Sequence, residues 1–249
     1  MKKIALLAVS LALLTSQSVQ ADMLGATVGA EYWDAEAKAS LADAGSTISQ
    51  LKFTDKRQPN FYARFEHPIP LIPNVAVRQQ SLDFSGSTVL NADLRLNGTL
   101  FNSGTTIGND VDFSFRDATA YYELLDNELV SVDAGVTARF INADAKLSTA
   151  SVSTSKSVSF ALPMLYARTE IGVLGTGMSV FAEGNYVSYS DNSLYDVQAG
   201  VGFELIDIPF FELLLKVGVK ATQLELDDQD DIDADVNISG AFAAVEARF

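Results

Sequence analysis

The sequence predicts an all-β chain folded as an antiparallel up-and-down transmembrane β-barrel of about ten strands. Three observations carry that reading. Apolar and polar side chains alternate with period two along most of the chain, the repeat of a half-buried strand. The alternating segments run roughly 9 to 13 residues, where strands of globular proteins average about 5 to 6 and a tilted membrane-spanning strand needs about 9 to 11. Short turns alternate with longer polar connections, the asymmetry of a barrel with turns on one side of a membrane and loops on the other.

Taken in order, Lys2 and Lys3 precede an apolar stretch from Ile4 to Leu14 broken only by Ser10, and a polar segment closes at Val19-Gln20-Ala21. That is the layout of a secretory signal peptide cut after Ala21. It divides the chain into residues 1–21 and one barrel domain over 22–249. The apolar stretch is too short for a helical span of about 20 residues.

Strands are expected near 24–34, 59–66, 74–84, 111–124, 129–142, 157–171, 178–190, 194–206, 211–224 and 237–249. The count falls to eight if a hairpin is misread and rises to twelve if Leu90 to Phe101 forms its own hairpin. An even number leaves both termini on the periplasmic side. Short turns fall near His67–Asn74, Leu125–Glu128, Gly172–Gly177 and Asp207–Phe210. Long connections fall near Ala35–Gln58, Ser85–Asp110, Ala143–Lys156 and Asp227–Asp235, with a short one at Asp191–Ser193. The Ala-rich Ala35–Gly45 segment suggests one or two helical turns, and Ser148–Ser159 a mobile loop merging into a strand.

Register follows from the cost of charge in lipid. A Lys or Arg on the lipid face near the bilayer midplane costs about 2 to 4 kcal/mol. Facing Asp133 and Arg139 inward leaves Val130, Val132, Ala134, Val136, Ala138 and Phe140 for the acyl chains. The same rule sends Glu204, Glu212, Lys216, Glu246 and Arg248 inward, with Arg64, Glu66, Arg78, Arg168, Glu170 and Glu183. A slip in the alternation near Arg116-Asp117 marks either a bulge or the membrane boundary. The resulting lumen carries both signs of charge and reads as an ion-pair network filling a closed barrel; a narrow polar passage is the alternative. Tyr32, Trp33, Tyr121, Tyr122, Tyr166, Tyr186, Tyr189 and Tyr195 read as interfacial girdles, some of them as lumen packing.

The chain has no cysteine, which excludes disulfides, thiolate zinc sites and Cys nucleophiles. A net charge of −15 argues against nucleic-acid binding. Membrane-barrel enzymes mostly need a histidine near the outer leaflet, because His titrates near neutral pH. Here His67 is the one histidine, beside Pro68 and Pro70 at a periplasmic turn. Ser49–Lys52 and Ser153–Lys156 match a Ser-x-x-Lys spacing without its partner motifs. Gly172, Gly175 and Gly177 form a tight turn whose spacing suits no phosphate. The acidic run Asp227–Asp235 reads as a solvated hairpin tip. Weak divalent-cation binding is its alternative, since Val236 stands where a calcium loop needs Gly. Lys52, Lys56 and Arg57 read as solvated charges or as contacts to lipopolysaccharide phosphates.

The last strand, Ala241-Phe242-Ala243-Ala244-Val245-Glu246-Ala247-Arg248-Phe249, ends in an aromatic residue. It resembles the C-terminal assembly strand of Gram-negative outer-membrane barrels. With the Gly25–Trp33 first strand, the chain is similar to a family of small outer-membrane barrels of poorly defined role. The resemblance implies an outer-membrane location and recognition of Phe249 by the barrel-assembly machinery; it supplies no catalytic residue. The expected protein is a monomer in outer-membrane lipid and lipopolysaccharide, without metal or cofactor. It is expected not to be an enzyme, and its role is structural or a surface interaction; a narrow channel for small solutes or ions is the alternative, and an outer-membrane enzyme the more remote one.

Overall fold

In a computed structural model, residues 24–43, 49–54, 56–127, 129–190, 192–229 and 232–249 are described. The expected signal peptide therefore lies outside the described residues. The strands are β1 (Gly25–Asp43), β2 (Ser49–Lys52), β3 (Lys56–Glu66), β4 (Asn74–Val89), β5 (Leu94–Leu96), β6 (Thr99–Phe101) and β7 (Thr106–Asp126). They continue as β8 (Val130–Ser148), β9 (Ser153–Val173), β10 (Met178–Tyr189), β11 (Asn192–Ile208), β12 (Phe211–Gln229) and β13 (Ile232–Arg248). Each of β1, β3, β4 and β7 through β13 pairs antiparallel with the next, and β13 returns to β1 from Thr27↔Arg248 to Asp43↔Ile232. A closed, up-and-down, ten-stranded barrel results, and closure removes the free edges through which open sheets aggregate.

Leu90 to Phe101 does form a hairpin, β5–β6, but it pairs only with itself and stays out of the wall. Asn97 and Gly98 both take positive φ at its tip, as a two-residue hairpin turn requires. β2 continues the wall above β3, pairing with β1 at Lys38↔Lys52. Gly86 admits it: a Cβ there would stand 2.0 Å from the Lys52 carbonyl oxygen.

The strands are longer than expected, reaching 21 residues in β7 and β9. Ala35 to Asp43 is strand and not helix. Alanine favours helix only weakly, while β13 on one edge and β3 and β2 on the other pair its backbone. Ser153 to Ser159 is strand paired to β8, so the expected long connection over 143–156 shrinks to the turn at 149–152. Most of 227–235 likewise belongs to β12 and β13.

Pairing passes Arg116 and Asp117 without a shift on either neighbour. The bulge falls between Glu123 and Leu125 instead, with others at Glu204/Ile206 and Leu226/Gln229. What changes at Arg116-Asp117 is the surroundings of the wall. Toward the short-turn end the outward residues of β7 and β8 are Tyr122, Ala120, Ala118, Val132, Val136 and Phe140, and inward ones include Asp117, Thr119, Asp133 and Arg139. Beyond it the outward residues are Ser114, Asp112, Asn142, Asp144 and Lys146, and the inward ones are Phe115, Phe113, Ile141, Ala143 and Leu147. The barrel is apolar outside and polar inside where it suits a bilayer, and polar outside and apolar inside above it.

Candidate functional site in the barrel lumen

Alternation aims the polar residues of the lower barrel at one another. Nearest the short turns, Arg248 pairs with Glu170 at 2.9 Å and with Glu246 at 2.7 Å. Lys216 reaches Glu246 at 2.8 Å, and Arg168 bridges Asp133 at 3.2 Å and Glu170. Tyr62 donates its O–H to Glu246 at 2.7 Å, and Tyr121 donates to Glu66 at 2.8 Å. Gly29 makes room for Tyr62, whose ring carbon lies 2.1 Å from where a Cβ would stand.

A second layer lies above. Glu183 joins Arg64 and Arg78, each at 3.0 Å, and accepts a hydrogen bond from Gln198 at 2.9 Å. Arg139, 1% exposed, grips Asp117 through two hydrogen bonds of 2.8 and 2.7 Å and stands 3.5 Å from Asp196. Lys220 donates to Gln80 at 2.7 Å and pairs with Glu31 at 3.4 Å. Burying a charge this deeply is tolerable only with such partners.

An aromatic layer covers the charges. Lys220 lies 5.1 Å from the Trp33 ring centre, Arg139 4.7 Å from Phe115 and Lys216 4.9 Å from Phe181. The ring faces attract these cations while their other sides meet Leu82, Phe84, Phe113, Ile141 and Phe242 in the apolar core. The layer marks where the lumen changes from polar to apolar.

Of the residues expected in the lumen, Arg64, Glu66, Arg78, Asp133, Arg139, Arg168, Glu170, Lys216, Glu246 and Arg248 line it. Glu204 keeps the inward register, opposite the buried Leu214 and ahead of the shift at Glu204/Ile206, and stands exposed at the mouth of the polar cavity at the turn end. Glu31, Asp117, Asp196 and Lys220 were not singled out from the sequence. The signal was there, since Lys220 shares a face with Lys216 and Asp196 shares one with Gln198. Trp33, Tyr121 and Tyr166 pack inside the lumen, whereas Tyr32, Tyr122, Tyr186 and Tyr189 face outward.

Three spaces adjoin this network. A polar cavity of about 310 Å³ opens at the turn end and reaches inward to Arg64, Arg168 and Glu170. Between the layers, two voids of about 10 Å³ each adjoin Arg64, one beside Tyr166 and one beside Gln198. On the outer wall, Ala167, Ala182, Gly184, Ala199, Ala221 and Ala241 leave a shallow trough of about 830 Å³ that faces lipid.

The remaining motifs lie apart. His67 sits at the turn end, its Nδ1 accepting a hydrogen bond from the Ile69 N–H at 3.2 Å. Ser153 and Lys156 stand three apart on β9, so their side chains point to opposite faces. Gly175 and Gly177 take positive φ in the turn at 174–177. Lys52 is exposed, while the side chains of Ser49, Lys56, Arg57 and residues 228–232 lie outside the described residues. Among the described residues no group of acidic or histidine side chains could hold a metal ion.

A ten-stranded closed wall with an apolar belt outside and ion pairs inside has one structural setting. The fold is that of an outer-membrane β-barrel. The outer membrane protease OmpT from Escherichia coli matches with a TM-score of 0.52 at 11% identity, over 95% of this chain and 99% of that one. Ail, the attachment invasion locus protein of Yersinia pestis, gives 0.39 at 17% identity over 90% and 98%. Neisserial surface protein A gives 0.36 at 12% identity over 92% and 100%. At 11% identity the OmpT match speaks for the fold alone. No protein-family model matches the chain, and no curated protein does.

Proposed function

We propose that this chain is a monomeric barrel of the Gram-negative outer membrane with a closed lumen, serving a structural or surface-interaction role through its extracellular end. The observation that carries the reading is the ion-pair stack roofed by aromatic residues. Arg64, Arg78, Arg139, Lys216 and Lys220 are each held by a carboxylate within 3.4 Å. The voids between them, about 10 Å³ each, offer room for about one water apiece. Asp117, Glu183 and Glu246 are engaged by these cations, which supports a role without catalysis, while Glu66 and Glu170 border the 310 Å³ cavity. The apolar outer belt and the C-terminal strand ending in Phe249 support insertion by the barrel-assembly machinery after export. Lys52 at the extracellular end is available to lipopolysaccharide phosphates.

Single-channel recording of the refolded protein in a planar bilayer tests the closed lumen. A silent membrane, with folding verified by heat-modifiable gel migration, is expected. Discrete conductance steps would overturn the reading. One observation favours a narrow channel: the 310 Å³ cavity already enters from the periplasmic side as far as Arg64. On that alternative, steps occur, and Arg139→Gln or Lys216→Gln changes their size or ion preference.

A further inference from the structure

The upper barrel encloses a second cavity, separate from the charged lumen. Its volume is about 80 Å³, and Phe84, Phe113, Ala143, Phe160, Leu224 and Ile238 bound it. Ser40, Asp144 and Lys156 stand at its margin, yet its surface is apolar almost throughout. Below lies the aromatic floor with Trp33, Phe115 and Phe242. Above lies an apolar roof that includes Leu94, Leu96 and Phe101 of the β5–β6 hairpin, each no more than 3% exposed. Asp43 fastens that hairpin, its carboxylate accepting hydrogen bonds from the Asn97 and Gly98 N–H groups at 2.8 and 3.0 Å.

The chemistry of the lining selects the occupant. A buried water needs about two to four polar partners, and apolar cavities without them stay dry. A charged or hydroxylated ligand would lose its hydration with nothing in return. The volume is roughly half that of the ~150 Å³ apolar cavity that takes up benzene or xenon. The wall around this chamber is polar outside, with Glu36, Asp83, Asp144, Glu225 and Asn237 facing outward and exposed or nearly so. An acyl chain would have to leave the bilayer to enter. We infer that the extracellular half of the barrel is a binding chamber for a small free hydrocarbon, roofed by the β5–β6 hairpin. The inference does not depend on whether the lower lumen conducts ions.

Xenon is the probe. Crystals of the refolded protein pressurised with xenon should show one bound atom among Phe113, Ala143, Phe160 and Ile238. Ala143→Leu, which adds three carbons to the chamber wall, should abolish it while heat-modifiable migration is retained. If that variant misfolds, Val158→Phe fills the same space from β9. An empty chamber in the unaltered protein overturns the inference, as does xenon that persists there in a folded, filled variant. Native mass spectrometry separates the sources of hydrocarbon. A lipid mass retained on protein purified from membranes, and lost in Ala143→Leu, would overturn the free-hydrocarbon assignment; its absence is expected.

Discussion

Arg139 offers the sharpest test of the lumen. Arg139→Met keeps most of the side-chain volume and removes the charge, leaving Asp117 and Asp196, at most 4% exposed at their side chains, to face what remains. Asp196 keeps the Thr222 hydroxyl at 2.9 Å and Arg78 at 3.8 Å, so Asp117 is the group left stranded. Two unit charges about 4 Å apart attract by about 4 kcal/mol at an effective dielectric near 20, and breaking one side of a buried pair costs about 3–5 kcal/mol. A loss of about 3–5 kcal/mol is expected. Arg139→Met combined with Asp117→Asn removes the stranded charge and should return to within about 1–2 kcal/mol of the original, since neutral replacement of a whole buried pair is tolerated. Urea titration of protein refolded into lipid vesicles measures both, read through Trp33, the single tryptophan in the chain. A single variant that loses less than about 1 kcal/mol, or a double variant no better than the single, would refute the pairing argument.

Other perturbations probe other levels of the structure. Gly29→Ala drives a Cβ to within 2.1 Å of the Tyr62 ring, which must move off and release Glu246; about 1–3 kcal/mol should be lost in the same titration. Val136→Arg places charge on the apolar belt and should cost about 2–4 kcal/mol, whereas Ser155→Arg, outward on the upper wall, should cost almost nothing. Equal costs for those two would show that the belt has been drawn in the wrong place. His67→Ala should shift the urea midpoint by no more than about 0.5 kcal/mol's worth, because the half-buried ring accepts one hydrogen bond and touches Phe65 only loosely, 6.3 Å between ring centres.

Much of this architecture is written in the alternation. Val132, Val136 and Phe140 against Asp133, Thr137 and Arg139 settle which face of β8 meets lipid, because no other register keeps arginine out of the acyl chains. Phe140-Ile141 and Arg116-Asp117 even record the height at which the barrel inverts. Two like residues in a row flip the hydrophobic phase while the backbone keeps its own. Read along one strand, that flip cannot be told from a bulge, since both reverse the pattern. Pairing to β4 and β8 on either side distinguishes them.

The sequence by itself determined the apolar belt and many of the inward charges, because each rests on a period-two pattern local to one strand. The tertiary structure alone decided which charge meets which. Glu31 and Lys220 are 189 positions apart, and Arg64 and Glu183 belong to strands that are not neighbours in the wall. It also turned much of the expected long connections into wall and enclosed an apolar chamber in the upper barrel. Alternation, with the cost of charge in lipid, orients the faces of each strand, but closure decides which inward side chains meet, and water or lipid outside decides which residues that inside must hold.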